Sequence, residues 1–405
     1  MIDKIKEFLK NFGPGIIMAS SAIGGSHIIA STQAGAYYGY QLALFIIAVN
    51  LLKYPFYRIA FDYSTIHNKT LLQGYSQKGK RYLWVFLVFN AFATVVNVAG
   101  GTLLGAVLLK MLIPFELSLQ FYSIFILLSY LLILYYKQYK ALDSVSKIIM
   151  LFLTIVTLIA LVLAFTQADA KPLDFVEPDP FILAAIPFLI ALMGWMPSPM
   201  ELSVSASIWV VEKNKLNPEY KKRRMVDFNS SYLITIVLAL MFMSLGALVQ
   251  YGQDITPLSG GKFINQFIDM YASSIGEWTR WFITFVAFIC IYGTTIVAVD
   301  GYSRCNQQSV ALLKDKTTEI FSHKALQYSM LFTTIVAFIV IQFFSSSIGK
   351  MIPFAMTASF VSAPIFAYLN YSLSKEYEKP RWLTLLALVG LVYLASMVVV
   401  YFIFF

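Results

Sequence analysis

Apolar residues run in long stretches along this chain, and the charged residues gather in short intervals between them. A helix needs about 20 apolar residues to cross the hydrocarbon core of a bilayer. Stretches of that order fall at 15–38, 41–61, 83–112, 118–136, 147–166, 180–210, 228–251, 279–305, 327–345, 350–371 and 382–404. The pattern predicts an all-α polytopic membrane protein with about 11 transmembrane helices. Two of these stretches are interrupted at mid-depth. Gly24-Gly25-Ser26-His27 breaks the first, and Met196-Pro197-Ser198-Pro199 breaks the sixth, where each proline removes a backbone donor. Broken backbone at membrane depth is tolerated only where it is buried in protein or lines a cavity. Interruptions at corresponding positions of two halves point to a transport site. The expected organisation is one transmembrane domain: five spans in 1–166, five in 180–371 and an extra span at 382–404. An odd number of spans per half reverses its topology, which makes the two halves a 5+5 inverted repeat.

Composition removes other classes. With 59% hydrophobic residues, 13% charged residues and a mean hydropathy of +0.72, a water-soluble fold is excluded. Of the 30 Lys and Arg residues, 22 fall in the N-terminal segment and the loops at 62–82, 137–147, 211–227, 306–326 and 372–381. The positive-inside rule then places the N-terminus in the cytoplasm and predicts a multi-pass protein of the cell membrane. The same asymmetry accounts for the net charge of +9, so nucleic-acid binding is not expected. Residues 1–12 are charged and amphipathic and read as mature sequence, with no cleavable signal peptide. Cys290 and Cys305 share one span and are expected only to pack. No His-Glu-x-x-His or Gly-x-Ser-x-Gly occurs, so the chain is not expected to be an enzyme.

Gly13-Pro14-Gly15, the stretch Gln33-Ala34-Gly35-Ala36-Tyr37-Tyr38-Gly39-Tyr40, Met196-Pro197 and Pro353-Phe354-Ala355 resemble the NRAMP divalent-metal transporters. The resemblance implies a LeuT-type fold, in which a bundle and a scaffold rock around a central site. The departures fall on the residues that work in that family. Its Asp-Pro-Gly-Asn metal motif reads Gly24, Gly25, Ser26 and His27 in this chain. The family's metal-binding methionine is matched by Met196, but the His and Asn after Met-Pro become Ser198 and Pro199, and a further His becomes Ser203. An acidic residue of span three falls on Val98, and a polar ligand of span ten falls on Ser345.

A divalent cation needs oxygen ligands, usually with a carboxylate to offset its charge, and mid-membrane charge is costly. The altered break favours the opposite sign. Gly24 and Gly25 allow close backbone approach, and they lead into a half-helix N-terminus whose N–H groups favour anions. Ser26 and His27 add donors. Gly24, Gly25, Ser26 and His27 are expected to form one wall of the site, with Met193, Gly194 and Met196 opposite. Lys53, charged within span two, is either functional or snorkelling to the edge. Glu201 lies about a turn beyond the second break and is expected to supply charge or to pair with a basic neighbour. The expected function is secondary-active transport of a small inorganic anion such as bicarbonate. Retained transport of a manganese-, iron- or magnesium-type cation is the alternative, and a soft His27–Met196 pair is a thinner one. Resemblance to LeuT-type carriers makes Thr294 and Thr295 candidate sodium ligands, so a bound sodium ion is possible as coupling ion. No other cofactor, and no partner beyond lipid and substrate, is expected.

Overall fold

A computed structural model describes residues 13–167, 172, 174–253, 261–315, 323–344 and 348–405. Ser345 and the N-terminal segment 1–12 lie outside the described residues. Helices account for the secondary structure, and there is no strand among the described residues. Among the described residues, eight helices are long and apolar enough to cross a membrane, at Ala43–His67, Lys80–Leu112, Leu119–Tyr136, Tyr220–Val249, Glu277–Leu313, His323–Phe344, Gly349–Glu376 and Arg381–Phe404. The remaining expected spans are the apolar stretch Thr154–Thr166 and the two interrupted helices, whose halves are each too short to count alone.

The first interrupted helix is α1 (Pro14–Ala22), a break at Ile23 and Gly24, then a π-helical turn (Ser26–Ser31) running into α2 (Thr32–Tyr38). The sixth is α7 (Ile186–Trp195), an irregular stretch that includes a cis Met196–Pro197 bond, and α8 (Leu202–Leu216). Between them lie α3 (Ala43–His67), α4 (Leu71–Lys78), α5 (Lys80–Leu112) and α6 (Leu119–Gln167). After them come α9 (Tyr220–Val249), α10 (Gly261–Ile275), α11 (Arg280–Leu313), α12 (His323–Phe344), α13 (Ile348–Leu373) and α14 (Arg381–Phe404).

Three features differ from the sequence pattern. The predicted basic loop at 137–147 is helical backbone, continuous from Leu119 to Gln167, because no glycine or proline interrupts that segment. Two helices were not predicted. In α10 the buried Phe263, Ile264, Phe267, Ile268 and Tyr271 recur at helical spacing, although the segment is too short and polar to read as a span. In α4 a capping box starts the helix, with Thr70 and Gln73 bonding each other's backbone N–H.

The glycine motifs hold the broken first helix in place. The Asp227 carboxylate on α9 accepts from Gly13 N (3.2 Å) and Gly15 N (2.8 Å) and from Tyr220 OH (2.7 Å). Pro14 sits between the two donors and has none of its own, so one carboxylate satisfies the start of α1. Further along, Gly35 on α2 and Gly246 on α9 bring the two helices together. A Cβ on either would overlap backbone of the other helix.

Candidate functional site

Both breaks open onto one cavity of about 50 Å³ between α1, α5, α7, α8 and α11. Ser21, Gly25 and Ser26 line it from the first broken helix, Trp195 and Pro199 from the sixth. Asn97 on α5 and Thr294, Thr295 and Tyr302 on α11 complete its polar wall. None of the lining residues carries a carboxylate, an imidazole or a sulfur.

The expected wall from the first break is present in part. Gly25 packs against the Trp195 ring so closely that a Cβ would collide with it. Gly24 lies behind, against Thr294, where a Cβ would come within 2.6 Å of the hydroxyl. Ser26 Oγ donates to Ala22 O, tying the break to the end of α1. His27 departs from expectation: its ring is fully buried and turned away from the cavity toward α9. Nε2 lies 2.8 Å from Thr235 O, and Nδ1 lies 2.7 Å from Ser26 Oγ and 3.1 Å from Ala22 O. The π-helical turn that begins at Ser26 rotates the ring outward from the break.

The expected wall from the sixth helix is also corrected. Trp195 faces the cavity, whereas Met193, Gly194 and Met196 do not. Met193 Sδ receives a hydrogen bond from Tyr393 OH on α14 (3.0 Å). Gly194 lies against α13, and a Cβ there would overlap the Met356 carbonyl. A helix has one face per side: the residue turned toward α5 and α11 is Trp195, which leaves its neighbours packed behind. His27 and Met196 therefore do not form a soft pair in the cavity. Among the described residues there is no group of three His, Cys, Asp or Glu placed to hold a metal ion.

Asn97 is the hub that sequence reading missed. Its Oδ1 accepts from Trp195 Nε1 (3.0 Å) and Ser359 Oγ (3.3 Å), and its Nδ2 donates to Tyr302 OH (2.8 Å) and Glu201 Oε1 (3.2 Å). Tyr302 OH also donates to Glu201 Oε1 (2.8 Å). One available signal was the recurrence of Asn90, Thr94 and Asn97 at helical spacing on an otherwise apolar α5. Glu201 is fully buried just behind Asn97 and Tyr302, and its Oε2 has no hydrogen-bond partner among the described residues. It forms no direct ion pair among the described residues, although its charge and that of Lys53 act on each other. Lys53 does not snorkel. It is fully buried, and its Nζ donates to Met193 O (2.5 Å) and Gly194 O (3.4 Å) at the broken end of α7.

On α11, Thr294 Oγ1 donates to Ser20 O (3.0 Å) and Ile23 O (3.2 Å), so a hydroxyl of this span does meet carbonyls of the first broken helix. Thr295 Oγ1 bonds within its own helix, to Ile291 O (2.7 Å). Cys290 does more than pack: its thiol donates to Ile23 O (2.7 Å).

The family model for natural resistance-associated macrophage protein-like (Nramp) proteins matches residues 15–404. The chain belongs to the Nramp family. An uncharacterized protein of Pasteurella multocida (strain Pm70) is 46% identical over 390 residues, covering 95% of this chain and 90% of that protein. Among solved structures, a manganese transporter of Eremococcus coleocola, in complex with an aromatic bis-isothiourea compound, is similar in fold. Its TM-score is 0.74 at 13% identity, covering 97% of this chain and 86% of that one. MhsT in complex with L-phenylalanine follows at 0.67 and 12%, covering 96% and 98%. Mhp1, a nucleobase-cation-symport-1 family transporter, stands at 0.65 and 11%, covering 97% and 92%. The fold is of the LeuT type, and the protein is a multi-pass membrane transporter of the Nramp family.

Within this Nramp chain, the positions that depart from the family motif have taken up structural work. Val98, which falls where the family motif has an acidic residue, is fully buried and apolar. Ser198 bonds Tyr57 OH through its hydroxyl (2.6 Å). Ser203 Oγ donates to Met200 O (2.7 Å) and accepts from Asn370 Nδ2 (2.7 Å).

Proposed function

We propose that this Nramp transporter carries a small inorganic oxyanion, with bicarbonate the best match, through the cavity between its two breaks. The observation that carries this reading is the lining. A dication at mid-membrane needs anionic oxygen ligands, and this wall offers hydroxyls, a carboxamide, an indole and half-helix backbone instead. The α-carbon of Gly25 lies at the N-terminus of the second half-helix, where the helix dipole favours negative charge. Size agrees as well. A cavity of 50 Å³ has room for about four water-sized groups, which suits a carbon with its three oxygens.

Sodium coupling is proposed through Thr294 with the carbonyls of Ser20 and Ile23, where a sodium ion would replace the hydroxyl's own hydrogen bonds. Thr295, bonded within its helix, is the weaker ligand. The protein is proposed to sit in the plasma membrane with the end that carries the basic loops in the cytoplasm. A second reading, transport of a divalent cation, draws on one specific observation: the buried Glu201 carboxylate, with an unpartnered oxygen, just behind the cavity wall. The Eremococcus protein of the same fold is a manganese transporter, and its low identity transfers the fold alone.

The deciding experiment is uptake of labelled bicarbonate into proteoliposomes, with and without an inward sodium gradient and with excess manganese. Sodium-stimulated uptake that manganese does not inhibit supports the anion reading. Uptake no greater than into empty liposomes, together with saturable uptake of labelled manganese, overturns it in favour of the second.

A further inference from the structure

We propose that Lys53 is a tethered cation: its ammonium fills the carbonyl site at the broken end of α7 that a mobile ion would otherwise occupy. The inference begins with the helix end. Helix α7 stops at Trp195, where the chain turns irregular deep in the protein. Its last carbonyls have no partner within the helix, and they form the negative end of its dipole. In broken-helix transporters, such half-helix ends and unwound carbonyls are what hold a cation. In this chain they are already taken. Lys53 Nζ, delivered from α3, donates to Met193 O at 2.5 Å and to Gly194 O at 3.4 Å.

An ammonium carries donors only, and burying one is costly, so a fully buried lysine on two carbonyls is an electrostatic fixture rather than packing. Glu201, across the break, supplies the opposite charge, and its Oε2 is unpartnered. Take away the ammonium, and two carbonyl oxygens remain at the vacated position, with the Glu201 charge acting on it from beyond ion-pair distance. That is an oxygen-ligand set for a small inorganic cation. The proposal deepens the anion reading, since it rests on the break that ends α7 at Trp195, a residue of the cavity wall, being part of the transport site. Its test does not depend on bicarbonate.

The experiment compares thermal unfolding of the purified parent, Lys53→Ala and Lys53→Met in choline, sodium or manganese chloride. The parent should unfold at the same temperature in choline and manganese chloride, and sodium, with its own proposed site at Thr294, should raise the parent and Lys53→Met alike. Lys53→Ala should be less stable in choline and recover saturably, by ~5 °C beyond any rise in the parent, with sodium or manganese, which enter the vacated site. Lys53→Met fills the volume without charge, and it should stay destabilised in every salt. The proposal is overturned if Lys53→Met matches the parent, if Lys53→Ala recovers with neither cation, or if the cations raise the parent equally. A Lys53→Met/Glu201→Gln double variant guards against a Lys53→Ala protein too unstable to purify. It should remain less stable than the parent, because the α7 carbonyls still lack a donor. Full recovery in that double variant means that Lys53 only neutralises Glu201, and the idea falls. Because every readout is stability, failure of the bicarbonate test and failure of this one are separate results.

Discussion

Gly25 and His27 stand two residues apart in the chain, and only the first touches the cavity. A side chain at Gly25 would meet the Trp195 ring, so Gly25→Val should push the indole across the cavity and reduce tracer uptake to background. The protein should still be produced, because overpacking of this kind costs roughly 1–3 kcal/mol. His27→Ala should behave in the opposite way. It removes the bond to Thr235 and leaves a void against α9, so thermal stability should fall by roughly 2–4 kcal/mol. The KM for the transported ion should stay within about twofold of the parent, since the lost contact touches no substrate. Uptake assays alongside thermal denaturation separate the two variants. If the His27→Ala defect lies in KM instead, the imidazole reaches substrate after all.

Among the elements, α1 is tied at its start to a single distant side chain. Asp227 accepts from Gly13 N, Gly15 N and Tyr220 OH, and among the described residues α1 has no other side-chain cap at its start. Asp227→Ala leaves those donors without their acceptor. A hydrogen bond to a charged group contributes about 1.5–3 kcal/mol, so this variant should lose at least ~2 kcal/mol. Hydrogen exchange should then report faster opening of residues 14–22 than of α9. Uniform protection along α1 in the variant contradicts this role for Asp227. The motif Gly-Pro-Gly can be picked out in the sequence as unusual, but its partner lies 212 residues away from Gly15 and carries no local signal.

At the scale of the whole molecule, rocking of one bundle against another around a fixed site would part the sixth helix from α5 and α11. The links between them are specific. Trp195 bonds Asn97 at one end of the break, and Tyr302 bonds Glu201 at the other. Deeper toward the end with the basic loops, α8 and α11 are joined by Trp209 Nε1 to Asp300 Oδ2 (3.2 Å), Arg304 to Glu212 (3.4 Å) and Ser205 to Cys305 (3.3 Å). Trp209→Phe with Glu212→Gln removes two of these links and leaves the buried Arg304–Asp300 pair intact. In a background lacking both native cysteines, a thiol placed by Ala22→Cys should then be labelled on the order of tenfold faster from that end, as an equilibrium shift of about 1.4 kcal/mol implies. An unchanged labelling rate means that these bonds do not hold that end shut.

The sequence by itself determined the class of protein, the two breaks and the family, because each is written in composition, run length or local motif. Apolar runs set the spans through the cost of exposing backbone to lipid, and the glycines and prolines set the breaks through their own backbone limits. Lys53, Glu201, Thr294 and Thr295 could be singled out because charge or hydroxyl in an apolar span is conspicuous. Tertiary structure alone decided which way each of them points. It turned His27 toward Thr235, brought Trp195 in place of Met193 and Met196 to the cavity, and made Asn97 the centre of the polar wall. It also seated Lys53 on the carbonyls of α7. The physical reason is that facing direction in a broken helix depends on how the irregular residues rotate the next half, and partner choice depends on helices far apart in sequence. Neither quantity has a signature in a stretch of chain read alone.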